Sequence, residues 1–523
     1  MGTSYNSFLN LRGRALRQAQ IGLIAAPAFI LFGYNQAGVG PLATLQSFVH
    51  IFPEVDTVNT TGSLKSHDST SKGAVIASFQ IGALIGSLSC LFLGDQLGRR
   101  KTIFLAAVLT IIGQILQVAA YHLVQFVVGR IILGIGIGEI SVVVPIWLSE
   151  CSPASHRGRD VVAAGIFMCL GYALCNWIDY GFYNLPTSTL QWRLPLAVSM
   201  PLSCLILGVI MFMPESPRWL VQVNQAEKAT ATLMALKNRI EIDEAISIEI
   251  AQIESSLENA RQERTSLMSI FSKNKEKLGY RFFLCIFLQF VQQMCGGNLI
   301  STYASTIFQD NLSLGVSLSK ILAACALTWK FLSCFVSYIA IDRWGRRAVF
   351  MISGAGMSMC MTCLAICTSF PSSSHSASIA SAFFIFLFNS FYPIGFLGAN
   401  FLYCSEVAPV RLRVAMNSVS TANHWLWNFV VTMVTPVAIE NIGYRYYIMY
   451  AIISASIPIV VFFFYPETMN RNLEALNNTF VEASTVFEVV SMARKMPTQE
   501  IEDDSSDGSA QDGKKNLEEK EYA

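Results

Sequence analysis

The residues that could do chemistry in this chain are amides and aromatic rings set inside apolar stretches. "QQMCGGNLISTY", starting at Gln292, holds Gln292, Gln293 and Asn298, and "ANHWLWNF" at 422–429 holds Trp425 and Asn428. An amide donates and accepts at once, while a ring offers an apolar face. Together they suit reversible capture of a ligand with many hydroxyls and one apolar side, with no covalent step. Buried amides also serve as plain hydrogen bonds between helices, the bland reading of the same residues.

A second group is ionic and repeated. "GDQLGRR" at 94–100 returns as "IDRWGRR" at 341–347, so Asp95, Arg99 and Arg100 answer to Asp342, Arg346 and Arg347. "SECSPASHRG" sets Glu150 ahead of Arg157, and "SEVAPVRLRV" sets Glu406 the same distance ahead of Arg413. "PESPRWL" at 214–220 is echoed by "PETMNRNL" at 466–473. All three motifs recur roughly half a chain apart, which marks an internal duplication.

The elements that position these groups follow from composition. Of 523 residues 14% are charged and 53% hydrophobic, with a mean hydropathy of +0.47; a soluble domain carries roughly a quarter charged residues. The net charge of +1 gives no footprint for nucleic acid. The 13 cysteines are dispersed, and "CMTCLAIC" has no acid or histidine nearby, so it reads as helix packing and not as a metal site. No cofactor is expected.

A bilayer-spanning helix needs about 20 mostly apolar residues. Twelve stretches qualify: 20–42, 73–94, 102–121, 123–148, 160–182, 193–213, 280–306, 318–341, 348–369, 377–404, 414–438 and 445–465. The expected chain is therefore all-α and membrane-embedded: a cytoplasmic N-terminus (1–19), a six-helix bundle (20–213), cytoplasmic linker helices (214–279), a second six-helix bundle (280–465) and a largely disordered cytoplasmic tail (466–523). Arg and Lys crowd the loops at 95–101, 151–159 and 342–347 and are absent from 183–192 and 370–376. By the positive-inside rule both termini are cytoplasmic. The sequons at Asn59 and Asn311 then fall outside, as glycosylation candidates. The polar, basic start lacks a cleavable signal pattern, so the first span reads as retained.

Two similar halves facing each other in a membrane create a cavity that can open to either side in turn. The repeated acids and arginines can interlock at helix ends and hold one side shut. Topology alone also calls for arginine on that side; matched acids at matched spacing favour the gate.

With these motifs in order, together with "GRIILGIGIG" at 129–138 and the closing "PET", the chain resembles the sugar porters of the major facilitator superfamily over 20–475, most nearly the fungal hexose-transporter-like members. The resemblance implies a twelve-helix major facilitator fold and movement of a monosaccharide, polyol or related sugar derivative by alternating access. It implies a small-molecule substrate and a lipid bilayer as partners, no nucleic acid, and a multi-pass protein of the plasma membrane. Gln292, Gln293 and Asn298 match the family's principal sugar contacts, span 11 supplies Trp425 and Asn428, and Tyr303 matches an aromatic gate residue whose usual Tyr neighbour is Thr302 here. Gly165 stands where relatives carry Gln, Asn400 and Phe401 stand for Pro-Trp, and His424 stands for Asn or Gln.

Two departures bear on mechanism. Lys330 stands mid-span where relatives carry Asn; a buried ammonium there can bind an anionic or very polar substrate, pair with an internal carboxylate, or tie spans together. In proton-coupled relatives an Asp in span 1 faces the Arg of span 4. Here "LFGYNQAGVG" places Asn35 opposite Arg130, and an amide cannot titrate, so uniport is expected. Glu139 could still carry a proton, which keeps symport open, and export of a secondary metabolite on the same scaffold is the other alternative. "GIGIG" lies inside a span, where its glycines permit close helix packing. No nucleotide-binding loop is present, and an enzyme is not expected.

Overall fold

Long apolar runs in lipid must satisfy their backbone internally, and they do so here as helices. The computed structural model describes residues 11–152, 157–239, 241–262, 276–311, 315–370, 374–409, 412–469 and 473–495. Six long helices form the first half: α1 Gly13–Leu42, α2 Gly62–Gln96, α3 Arg99–Val118, α4 Leu123–Cys151, α5 Arg157–Tyr183 and α6 Leu190–Ile210. Three short helices follow: α7 Pro217–Gln222, α8 Ala226–Leu236 and α9 Glu244–Gln262. The second half repeats the first: α10 Leu278–Gln309, α11 Val316–Trp344, α12 Arg346–Ser369, α13 Ser376–Val407, α14 Arg413–Ile442 and α15 Arg445–Phe464. Among the described residues ten of these are long and apolar enough to cross a membrane. α5 and α14, with 27 and 30 residues, complete the expected twelve.

The two halves meet along α2 against α14 and along α5 against α11. Duplication maps span 2 onto span 8 and span 5 onto span 11, so each contact is the other's image. Residues such as Val124, Phe92, Phe383 and Ile452 stay more than half exposed on the outer surfaces. Apolar exposure on that scale suits lipid and not water.

The glycines of "GRIILGIGIG" do what close packing requires. A Cβ on Gly134 would lie 2.2 Å from the Phe79 carbonyl oxygen of α2, and one on Gly138 would lie 2.2 Å from that of Ala83. α2 and α4 therefore cross in backbone contact.

The linker packs as a small unit of its own, with Leu220, Val221 and Ala229 buried against α9. The end of the chain departs from expectation. The disordered tail predicted over 466–523 contains two packed helices, α16 Leu473–Glu482 and α17 Val486–Lys495. Leu476 and Phe480 are buried, the Arg281 guanidinium sits 3.9 Å over the Phe480 ring, and Lys277 Nζ donates to the Phe480 and Ala483 carbonyls at 2.7 and 2.5 Å. That ammonium answers the negative end of α16, which is why a short helix holds there. Residues 496–523 lie outside the described residues.

Placing a leucine at Gly138 would force α2 and α4 apart, and overpacking of this kind costs about 1–3 kcal/mol. Gly138→Leu should lower the melting temperature of the purified protein, whereas Gly208→Leu, which meets no neighbour within 4 Å, should not.

Candidate transport site and its bracing

The site begins where two helices break. α10 stops at Cys295, Gly296 takes φ +93°, and a new helical stretch starts at Gly297. Only glycine adopts that conformation without strain. The break sets Gln292 and Gln293 at the end of one stretch and Asn298 at the start of the next. α13 breaks likewise at Leu397–Gly398, freeing the Phe396 carbonyl, and Gln292 Nε2 donates to it at 2.9 Å. Irregular backbone at membrane depth is tolerated where protein satisfies it.

Around these breaks two hydrogen-bonded groups converge. In the first, Gln36 Nε2 donates to Asn298 Oδ1 at 2.9 Å across the halves, and Asn298 Nδ2 donates to Asn428 Oδ1 at 2.5 Å and Thr432 Oγ1 at 3.1 Å. Gln80 of α2 lies 3.3 Å from the same Thr432 hydroxyl. In the second, His424 Nδ1 donates to Gln292 Oε1 at 2.9 Å and its other nitrogen accepts from Gln293 Nε2 at 3.1 Å, the tautomer this network requires. Asn400 Nδ2 donates to Gln292 Oε1 at 2.7 Å and Gln289 Oε1 at 3.1 Å. Trp425 closes the floor, its ring 5.0 Å from Phe32 and 5.7 Å from Phe79, its Nε1 donating to Ser141 at 3.3 Å. Phe401 packs 5.7 Å from the His424 ring.

Four buried polar atoms in this cluster have no hydrogen-bond partner: Gln293 Oε1, Asn400 Oδ1, Asn428 Nδ2 and Gln289 Nε2. Two accept and two donate, the set a hydroxylated ligand can use. The halves touch on both sides of the cluster. Toward the end without arginine motifs, a Cβ on Gly40 would meet the Thr302 carbonyl at 2.5 Å, and Ser69 Oγ donates to Glu440 Oε2 at 2.9 Å. Toward the motif end, a Cβ on Gly165 would meet the Leu397 carbonyl at 2.6 Å. There is no room for the glutamine that relatives carry at 165, because backbone fills its place.

Of the three charges the sequence places inside the membrane, Arg130 donates to the backbone carbonyls of Asn35 at 3.3 Å and Ile76 at 2.7 Å and lies 5.0 Å over Phe79. The Asn35 amide turns away, to the Leu31 carbonyl at 2.9 Å. Lys330 Nζ donates to Ser301 Oγ at 2.6 Å, between the rings of Tyr392 and Tyr172. Glu139 accepts from Ser89 at 3.2 Å and meets neither cation.

The arginine motifs are braced alike in both halves. Arg99 grips Glu150 with Nε and Nη2 at 2.9 and 3.1 Å and reaches Asp95 at 3.4 Å. Arg346 Nη2 donates to Glu406 at 3.0 Å. Gly98 and Gly345 share φ of +83° and +85°, and the acids of the "PE" motifs receive the backbone N–H groups that follow. Glu215 accepts from the N–H groups of Arg99 and Arg100 at 3.1 and 3.2 Å, and Glu467 from those of Arg346 and Arg347 at 3.0 and 3.1 Å. Each carboxylate caps a helix N-terminus, where negative charge is favoured. Burial pushes the Glu215 carboxyl above the usual carboxylate range, and the N–H groups of Ser216 and Arg100 pull against it.

The sequence predicts that these clusters interlock the two halves; the pairs described here instead join spans of the same half. Arg100 donates to the Met211 carbonyl and Arg347 to that of Phe462 at 2.7 Å, again within one half. Arg413 is half-buried at the start of α14 and has a partner of its own. The side chains of Arg157, Asp342 and Asn311 lie outside the described residues, while Asn59 is exposed in the loop before α2.

Known proteins match the chain over nearly its whole length. A family model described as "Sugar (and other) transporter" covers residues 21–480. The chain belongs to the sugar (and other) transporter family. Within it, the chain is 30% identical over 508 residues to the sugar transporter STL1 of Saccharomyces cerevisiae, covering 96% of this chain and 88% of that one. It is 31% identical over 455 residues to the MFS-type transporter oryC of Aspergillus oryzae, covering 86% and 83%. Among solved structures it is similar to the proton:xylose symporter XylE bound to 6-bromo-6-deoxy-D-glucose, with a TM-score of 0.75 at 23% identity over 87% of this chain and 98% of that one. That likeness establishes the major facilitator fold. This transporter is accordingly a multi-pass membrane protein and not an enzyme.

Several members of the cluster escape a motif search but have a local signal. Gln289 lies one turn before Gln293, and Thr432 one turn after Asn428, so each shares its neighbour's helix face. A longer-range pair has none: Asp179 of α5 and Lys320 of α11 are buried at the motif-free end, acting on each other across the halves. Lys320 Nζ donates to the Pro41 carbonyl at 3.2 Å, and Asp179 takes a 3.7 Å contact from the Cys175 thiol.

Removing one partner of a buried ion pair costs about 3–5 kcal/mol. Glu150→Gln and Glu406→Gln should each lower the melting temperature of the solubilised transporter, and by similar amounts, because the two clusters are built alike.

Proposed function

We propose that this transporter carries a monosaccharide or related polyol across the plasma membrane by alternating access, as a uniporter, with both termini in the cytoplasm. One observation carries the reading: the buried cluster of Gln292, Gln293, Asn298, Asn400 and Asn428 lies between the duplicated halves and holds unpartnered donors and acceptors. Relatives named for sugar, glucose and xylose transport support the substrate class. His424, Trp425 and Phe401 line the cluster with rings, and Lys330 flanks it. Arg99 with Glu150 and Asp95, and Arg346 with Glu406, stiffen each half at the cytoplasmic end so that it moves as one body, with Arg100 and Arg347 bonding carbonyls of the same half.

Uniport follows from Asn35, which offers Arg130 a backbone carbonyl and no titratable group. A second reading, proton symport, draws on Asp179, a buried acid beside Lys320 at the interface. Exposed Asn59 is the glycosylation site this orientation favours.

Uptake by a host lacking its own hexose carriers tests both readings. Labelled substrate should equilibrate without exceeding the external level, and a protonophore should leave the initial rate unchanged; accumulation abolished by the protonophore would instead establish symport. Asn298→Ala removes an amide that bonds both halves, and loss of such bonds costs about 1–3 kcal/mol. KM should rise by roughly tenfold or more, with protein at the membrane unchanged.

A further inference from the structure

Among the described residues, the centre of the molecule holds two basic side chains and no acid that pairs with either. Arg130, about 1% exposed, is held by backbone carbonyls. Lys330, equally buried, has one hydroxyl acceptor, Ser301 at 2.6 Å, and two rings, Tyr392 at 4.5 Å and Tyr172 at 4.9 Å. The other groups acting on Lys330 are the thiols of Cys169, Cys295 and Cys334. The two buried acids nearby in the bundle are engaged elsewhere, Glu139 with Ser89 and Asp179 with Cys175 and Lys320.

An ammonium in the membrane interior is expensive unless something negative meets it. Ring faces recover only part of that cost. With one hydroxyl acceptor, two of the three N–H groups of Lys330 meet rings and no oxygen acceptor. Its location gives the deficit a purpose. Ser301 stands one turn beyond Asn298, on the same stretch of α10, and Tyr392 packs onto Gly297 so tightly that a Cβ there would lie 2.1 Å from its ring. The ammonium is therefore fixed at the edge of the amide cluster.

We propose that the preferred substrate is an anionic sugar derivative, an aldonate or uronate, whose carboxylate meets Lys330 while its hydroxyls meet the amides of Gln293, Asn298 and Asn428. This rests on the carrier reading and narrows it. A carboxylate supplies the countercharge that the protein omits, and charge-assisted bonds of that kind are about twice as strong as neutral ones. A neutral hexose leaves the ammonium as it was.

The test uses the full-length protein in liposomes, with labelled D-gluconate, D-glucuronate, D-glucose and xylitol in parallel. Wild type should move gluconate or glucuronate at least tenfold faster than glucose, and excess unlabelled gluconate should suppress glucose entry. Lys330→Arg should keep that order, and Lys330→Asn should reverse it. Glucose or xylitol flux that gluconate neither exceeds nor suppresses would overturn the proposal while leaving the carrier reading intact. An unchanged preference for the acid in Lys330→Asn would also overturn it. Flux of no solute would overturn both. The wild-type ratio alone decides the matter if Lys330→Asn does not fold.

Discussion

A polar side chain in the hydrocarbon layer must find a partner inside the protein, and the proposed ligand site is a place where this chain leaves several polar atoms together without one. Most buried polar groups here are satisfied locally: serines and threonines bond carbonyls one turn back, and Arg130 takes two backbone oxygens. Four of the exceptions gather between the halves. Gln289, Gln293, Asn400 and Asn428 each keep one atom unpartnered, and all four belong to the second half. The first half contributes Gln36, Gln80 and Ser141, which bond across the seam to Asn298, Thr432 and Trp425. The seam thus carries, beside its apolar contacts, a few polar bonds that a ligand can replace.

The rest of the fold serves that seam. Each half must move as a unit if bonds are to exchange at the centre and nowhere else. Backbone contact between α2 and α4, made possible by Gly134 and Gly138, welds the first half. The arginine clusters, with Glu215 and Glu467 capping the following helices, tie the turns at the motif end within each half. Broken helices α10 and α13 supply what rigid ones cannot: amides at several heights and a freed carbonyl at Phe396.

Much of this was legible in the sequence because duplication writes each structural motif twice. Spacing alone related Asp95 to Asp342 and Glu150 to Glu406, and the resemblance pointed to Gln292, Gln293 and Asn298. Which groups the charges would meet was not legible. Glu150 and Glu406 hold arginines in their own halves, a fact set by helix ends folding beside one another and not by any spacing. Asp179 and Lys320 lie on helices of different halves, so nothing local links them. α16 is not legible locally because its fold depends on Lys277 and Arg281, far away along the chain.

For a substrate to cross by the proposed route, the two halves must part at the motif-free end. Ser69 and Glu440 bond across the halves there, at 2.9 Å. The direct measurement is substrate exchange through Ser69→Cys/Glu440→Cys before and after oxidation to the disulfide. The account predicts that exchange stops on cross-linking and returns with reductant. Undiminished exchange through a fully cross-linked protein would contradict it.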